Sequence, residues 1–164
     1  MADQTIVQSD ATLFVEGGGS ATHALVSAGG TLIGDGTVDN AEIIGGIGIV
    51  TAGAVWTNAN VHDLGTLTVS SGGVTSFSTT SEGGGEIVEN GGSSMIADIC
   101  DNGGYQIVSS GGYGSGSVVE EHGETSALSG SLLSSYIVLD DGIIFLQGSA
   151  AATDIGDSGH LEIS

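Results

Sequence analysis

The chain has 164 residues, of which 31 are glycine, and it contains no proline, lysine or arginine. Its formal net charge is −20. Without a cationic side chain to neutralise phosphates, a nucleic-acid partner is excluded and an anionic membrane surface is disfavoured. No apolar run reaches the length of a transmembrane helix, so no membrane insertion is expected. The mean hydropathy of +0.30 and the regular spacing of β-forming residues favour a single ordered β domain over residues 1–164 rather than disorder.

A glycine-bounded segment of 16 to 20 residues repeats along the whole chain. The repeats start at Ala11, Gly30, Gly46, Gly65, Gly84, Gly104, Gly123, Gly142 and Gly159. Each repeat consists of a strand, a glycine turn, a second strand and a polar turn such as DNG, EEHG or DDG. The residues of these polar turns are the types that tolerate positive φ.

Two mostly apolar columns run through the repeats. Four residues after the starts stand Val15, Gly34, Val50, Val69, Val88, Val108, Ala127, Leu146 and Ile163. Four residues before the starts stand Val7, Val26, Glu42, Val61, Thr80, Cys100, Val119, Val138 and Ile155. An antiparallel meander is the alternative, but it does not need equivalent residues at a fixed spacing. Coils stacked about 4.8 Å apart need equivalent residues at a fixed spacing, because equivalent side chains of successive coils touch. We therefore predict an all-β, parallel β-solenoid (β-helix) of about eight coils, with two strands in each coil.

The repeats GTLTVSSGG from Gly65 and GYQIVSSGG from Gly104 resemble the serine- and glycine-rich passenger repeats of AIDA-type autotransporter adhesins. The resemblance implies a β-solenoid displayed on a bacterial surface, with roles in adhesion, self-association and biofilm. It also implies serines that can carry glycans, and the matching positions are Ser70, Ser71, Ser109 and Ser110. The complete lack of basic residues departs from the family's pattern.

The two ends of the chain predict a contact between copies. Residues 1–10 supply a second half-coil and residues 159–164 a first half-coil, so two copies in line would complete one coil. Neither end shows a polar cap, and an uncapped solenoid exposes strand edges and core. A passenger fragment cut within a repeat is the alternative. The residues expected at the self-association ends are Thr5, Ile6, Val7, Leu13, Val15, Leu146, Leu161 and Ile163.

An acidic column recurs in the polar turns. Its members are Asp63, Glu82, Asp101, Glu121, Asp140 and Asp157. Neighbouring carboxylates one rung apart repel by roughly 0.8 kcal/mol in water, which protonation or a bound Ca²⁺ would relieve. A solvated turn face is the favoured interpretation, because neither a calcium-binding nonapeptide nor an EF-hand loop occurs. We therefore expect no cofactor, with calcium as the weaker alternative.

The remaining chemically distinctive residues predict packing rather than a site. Cys100 stands in an apolar column, which predicts a buried and inert thiol. The histidines fall at different places in the repeat and make no metal-ligand spacing; they are His23, His62, His122 and His160. The large aromatic residues predict packing or outward decoration rather than a sugar-binding face; they are Trp56, Tyr105, Tyr113 and Tyr136.

No catalytic residue is predicted. Parallel β-helix enzymes that act on polysaccharides build a cleft from long loops and use basic groups, and this sequence has neither. The predicted function is that of an extracellular, non-enzymatic structural protein that binds copies of itself head to tail in a surface or matrix fibre. The alternative is an adhesin passenger segment that binds cells or glycans through its sides. A polysaccharide-active enzyme is a remote third interpretation.

Overall fold

The computed structural model describes residues 1–100 and 102–164, and it is an all-β structure of three parallel sheets. Each sheet has nine strands, and the three sheets enclose one elongated apolar core. None of the described residues belongs to a helix that could cross a membrane.

The chain visits the three sheets in turn, so each sheet takes every third strand. Sheet A consists of β1 (Ala2–Asp3), β4 (Ser20–Thr22), β7 (Thr37–Asp39), β10 (Val55–Thr57), β13 (Val74–Ser76), β16 (Ser93–Met95), β19 (Tyr113–Ser115), β22 (Leu132–Ser134) and β25 (Ser149–Ala151). Sheet B consists of β2 (Ile6–Val7), β5 (Leu25–Val26), β8 (Glu42–Ile44), β11 (Asn60–His62), β14 (Thr79–Thr80), β17 (Asp98–Ile99), β20 (Val118–Val119), β23 (Ile137–Val138) and β26 (Asp154–Ile155). Sheet C consists of β3 (Thr12–Val15), β6 (Thr31–Gly34), β9 (Ile47–Val50), β12 (Thr66–Val69), β15 (Gly85–Val88), β18 (Tyr105–Val108), β21 (Glu124–Ala127), β24 (Ile143–Leu146) and β27 (His160–Ile163).

The strand registers confirm the predicted parallel β-solenoid. Val69 of β12 pairs with Val50 on one side and Val88 on the other, and all three side chains are buried. The first predicted column, which stands four residues after each repeat start, is therefore a stack of inward-facing residues. Within each strand the side chains alternate between core and solvent, as the period of two requires.

Each coil has three strands rather than the predicted two. The segment after the glycine turn was expected to be one strand, but it bends between sheets A and B at a single residue with positive φ. Phe77 and Ile96 occupy this position in successive coils, each with a φ of 57°. The Phe77 amide donates to the carbonyl of Met95 in the next coil, so the bend is held between coils. Phenylalanine and isoleucine rarely adopt positive φ. The residue types at this position therefore did not predict a bend.

Two members of the second predicted column are displaced by one residue. Ile43 pairs with Val61 inside the solenoid, whereas Glu42 is exposed on the same strand. Ile99 pairs in register with Thr80, and Cys100 begins the turn that follows. The physical reason is that the coils differ in length at their corners, so counting back from a glycine does not reach the same strand position in every coil.

The corners explain the recurring glycines. A Cβ at Gly84 would strike the carbonyl oxygen of Val61 in the preceding coil, and a Cβ at Gly123 would strike that of Ile99. Both glycines lie in the B–C corner, the turn that leads from a sheet B strand to the next sheet C strand. The C–A corner, which leads from sheet C to the next sheet A strand, has positive φ at Gly72, whose amide donates to the carbonyl of the next coil. Close main-chain approach therefore excludes larger residues at Gly84 and Gly123 of the B–C corner, whereas positive φ favours glycine at Gly72 of the C–A corner.

A polar network crosses the core over several coils. The buried carboxyl group of Glu86 accepts hydrogen bonds from the hydroxyl groups of Thr75 at 2.5 Å and Ser94 at 2.7 Å, and from the amide of Gln106 at 2.8 Å. The hydroxyl group of Tyr136 donates to the Gln106 carbonyl oxygen at 2.6 Å. Burial raises the pKa of Tyr136 well above the ordinary tyrosine value, so this donor keeps its proton. The network satisfies polar groups that would otherwise be costly to bury.

We expect Gly123→Ala to lower the free energy of unfolding by about 1–3 kcal/mol, because the new methyl group must displace the main chain of the neighbouring coil. Gly17→Ala is the matched control, since no atom lies within 4 Å of a Cβ there. Urea denaturation followed by circular dichroism measures both variants. Equal stability of the two variants would contradict the close-packed corner.

We expect Tyr136→Phe to lower the free energy of unfolding by about 1–3 kcal/mol, because it leaves the buried Gln106 carbonyl oxygen without its donor. Tyr105→Phe is the control, since Tyr105 is half-buried on the outer face of sheet C. The same denaturation experiment compares the two hydroxyl deletions. A loss no larger for Tyr136→Phe than for the control would show that the network contributes nothing.

Candidate functional site

The N-terminal end of the solenoid leaves one inward-facing apolar side chain, Leu13, partly uncovered, whereas Val7 and Val15 are buried. Leu13 pairs with the fully buried Leu32 and so faces the interior, yet it remains half-buried because β3 is the terminal strand of sheet C. Leu13, Phe14, Val15 and other residues of the first coil line an open recess of about 310 Å³. A concave surface of this kind, lined by both apolar and polar groups, can receive the side chains of another strand layer.

The C-terminal end exposes the matching positions of the core. Ile155 pairs with the buried Val138, and Ile163 pairs with the largely buried Leu146. Ile155 and Ile163 are nevertheless 39% and 73% exposed, because β26 and β27 are the terminal strands of sheets B and C. Leu161 lies between them on the inner face and packs against the core. Both ends of the solenoid therefore present inward-facing apolar residues.

Two of the residues predicted at the self-association ends do not face an end. Ile6 lies on the outer face of sheet B and is 61% exposed, whereas Leu146 lies one coil inside, next to Ile163. The other predicted residues belong to the terminal coils: Thr5, Val7, Leu13, Val15, Leu161 and Ile163. Sequence reasoning missed Ile155 as an end residue, although its apolar column already contained it.

The predicted acidic column lies along the B–C corner. We call Asp63, Glu82, Glu121, Asp140 and Asp157 the acidic ridge; Asp101 of the same prediction lies outside the described residues. Four of the ridge residues have φ between 44° and 51°, so the turn itself places them at the corner. No described residue is a lysine or arginine, so among side chains only histidine can supply a positive charge to the ridge.

His62 lies among carboxylates from three successive coils. Its Nδ1 atom is 3.2 Å from Asp63 Oδ2 and 4.0 Å from Glu82 Oε2, and its Nε2 atom is 3.3 Å from Glu42 Oε1. The imidazole side chain is 17% exposed, whereas the carboxylate side chains are more than half exposed. The sequence prediction that the histidines make no ligand arrangement overlooked this group, because Glu42 and Glu82 approach His62 only through the stacking of coils.

Carboxylates outside the ridge bind side chains of the neighbouring coil. Asp39 accepts a hydrogen bond from the Thr57 hydroxyl at 2.7 Å, which is the main cause of its lowered pKa. Asp3 accepts from the Thr22 hydroxyl at 2.9 Å and lies 3.4 Å from His23 Nδ1, and these contacts lower its pKa. Both carboxylates are therefore ionised at neutral pH and connect adjacent coils where the strands of sheet A end.

The structure places the predicted packing residues as expected. Trp56 and Tyr136 are completely buried, so neither can stack on a sugar. The ring of Tyr105 covers Gly85 in the space that a Cβ would occupy. Cys100 is buried, as predicted, and belongs to no disulfide. The serine pairs of the C–A corner each have one exposed member, Ser71 and Ser110.

Comparison with solved structures shows a likeness of fold. The chain is similar to a TibC-catalysed, hyper-glycosylated fragment of TibA, with a TM-score of 0.53 and 22% sequence identity. The alignment covers 99% of this chain and 81% of the TibA fragment. No protein-family model matches the sequence, and no curated protein matches it. The likeness supports the solenoid fold.

Proposed function

We propose that this chain is a bacterial surface protein whose solenoids bind head to tail to form an extracellular fibre. The observation that carries the proposal is the exposure of inward-facing apolar residues in the terminal strands, namely Leu13 on one side and Ile155 and Ile163 on the other. Each end combines free strand edges with inward-facing apolar side chains, the combination that solenoids otherwise cover with polar caps. A second copy of the same chain would cover both features at once.

The two ends have matching outlines. One end presents β25, β26 and β27, and the other presents β1, β2 and β3, so each of the three sheets ends in a strand at both ends. Stacking a second copy in line would continue every sheet by parallel pairing, as within the chain. In that arrangement Ile163 would lie against Val15 of the next copy, and Leu161 against Leu13, because these residues occupy the same columns. The contact would bury apolar surface and pair main-chain groups together.

Electrostatic repulsion opposes this contact. The first coil carries Asp10 and Glu16, and the last coil carries Asp157 and Glu162, so both ends are negatively charged at neutral pH. Salt screens charges at the protein surface within a Debye length of about 8 Å at physiological ionic strength. Association is therefore expected to be weak at low salt and to strengthen as ionic strength rises.

We expect the purified chain to form thin, unbranched threads that lengthen between about 20 and 500 mM salt, with an axial repeat of about 40 Å. Ile163→Asp should abolish them, because it places a charge in the apolar junction while altering a position that is exposed in the isolated chain. Negative-stain microscopy and light scattering measure the thread length and the mass.

Leu64→Asp is the matched control, since Leu64 is 78% exposed at a lateral corner and its replacement adds the same charge away from the ends. Threads should persist in this variant. Isolated short rods of the unmodified chain under every condition would overturn the fibre proposal, and so would equal loss of threads in the two variants.

A lateral binding role is the second candidate function. The fold is similar to that of the hyper-glycosylated TibA fragment, and the repeats of this chain resemble those of AIDA-type autotransporter adhesins. The outer face of sheet C bears an apolar row in register, which consists of Ile33, Ile49, Thr68, Ile87 and Ile107. Such a row offers a flat surface to a cell-surface partner.

The recess at the N-terminal end contains a single acidic side chain, that of Glu16, which gives no support to the enzyme alternative.

The Ile163→Asp variant also separates the two candidate functions. We expect this variant to lose adhesion to cells together with its threads, because adhesion by a fibre needs many linked copies. Flow cytometry with labelled protein measures cell binding, and Leu64→Asp again serves as the control. Undiminished cell binding by single Ile163→Asp solenoids would instead establish the lateral face as the functional surface.

A further inference from the structure

We propose that His62, Asp63 and Glu82 form a binding site for a divalent transition-metal ion, with Zn²⁺ as the best-suited ion. Each residue offers one ligand atom, and the three atoms lie within 4.8 Å of one another. His62 is at the end of β11, Asp63 follows it in the turn, and Glu82 occupies the equivalent turn one coil further on. These residues lie in central coils, so metal binding at this site does not depend on the proposed contact between solenoid ends.

The ligand atoms can reach the separations of a small tetrahedral ion after movement of the exposed carboxylate side chains. Zinc binds imidazole nitrogen and carboxylate oxygen at about 2.0–2.2 Å, which places ligand atoms of a tetrahedron about 3.3 Å apart. The His62 Nδ1 atom lies 3.2 Å from Asp63 Oδ2, already at this separation. The 4.0 Å to Glu82 Oε2 has to shorten slightly, and the Glu82 side chain is 57% exposed and so has room to move.

A fourth residue orients the histidine for this role. Glu42 Oε1 lies 3.3 Å from His62 Nε2, on the side of the ring that faces away from Asp63 and Glu82. In the metal-free chain Nδ1 also lies within hydrogen-bond distance of Asp63; when a metal takes the Nδ1 lone pair, Glu42 is in position to accept the proton of Nε2. Metal-binding histidines almost always donate their second ring N–H in this way. Glu42 belongs to β8, one coil before His62, so its contact is an observation separate from the acidic ridge.

The ligand set distinguishes this site from a calcium site. Calcium takes six to eight oxygen ligands, whereas imidazole nitrogen favours zinc, copper and nickel. Asp140 and Asp141 form the equivalent corner of a later coil with carboxylates only, which makes that corner an internal comparison. A bound ion would neutralise two like charges and connect residues of adjacent coils.

The test is a titration of metal-free protein with ZnCl₂ by calorimetry. We expect one Zn²⁺ ion per chain and a rise in the melting temperature on binding. His62→Gln and Glu82→Gln should each weaken the affinity at least tenfold, and Glu42→Gln should weaken it about 10–100-fold as the loss of an orienting partner does. Glu82 is exposed, so its variant remains informative if His62→Gln fails to fold.

Asp140→Asn is the matched control, because it removes one charge from the same corner without touching His62. Its zinc affinity should equal that of the unmodified chain. Side-chain NMR of the histidines adds a direct readout, in which only the Nδ1 resonance of His62 should shift strongly on titration. Absence of saturable zinc binding would overturn the site. Equal weakening by Asp140→Asn, full affinity in His62→Gln, or tighter binding of Ca²⁺ than of Zn²⁺ would overturn it as well.

Discussion

The close stacking of identical main-chain paths is the constraint on which the rest of the structure depends. Each coil gives its N–H groups to the carbonyl groups of a neighbouring coil, in the sheets and at the corners alike. The corners cannot move apart without breaking this ladder, and for that reason Gly84 and Gly123 face carbonyl oxygens with no room for a methyl group. Variation in coil length is accommodated in the corners, where the shortest and longest repeats differ from the others.

The same stacking places chemically equivalent side chains one rung apart. Columns of apolar residues stabilise the fold in this arrangement, whereas columns of like charges repel one another. Apolar columns such as Val50, Val69 and Val88 fill the core at every level. Carboxylates are concentrated instead at the solvated B–C corner, where water screens their repulsion. The buried carboxyl group of Glu86 is the exception, and the hydroxyl and amide donors around it explain why the core tolerates it.

The sequence predicted the features that repeat in every coil. It did not predict the bends between strands within a coil or the orientation of residues at the ends. Glycines and apolar columns at a regular spacing predicted parallel coils, which the registers confirm. The third strand escaped prediction because Phe77 and Ile96 hold a bend that residues of their type rarely adopt. Among the end residues, Ile6 faces outward instead of toward the end, since a half-coil of known length does not reveal which side of a two-residue strand faces the core.

The sequence by itself determined the fold class, the stacking axis, the acidic corner and the absence of any cationic side chain except histidine. Only the tertiary structure decided which side chains from different coils meet. Glu42, His62 and Glu82 are about one coil apart along the chain, and the corner lengths between them decide whether their atoms converge. Those lengths vary from coil to coil, so the contact depends on three-dimensional register, which residue spacing alone does not specify.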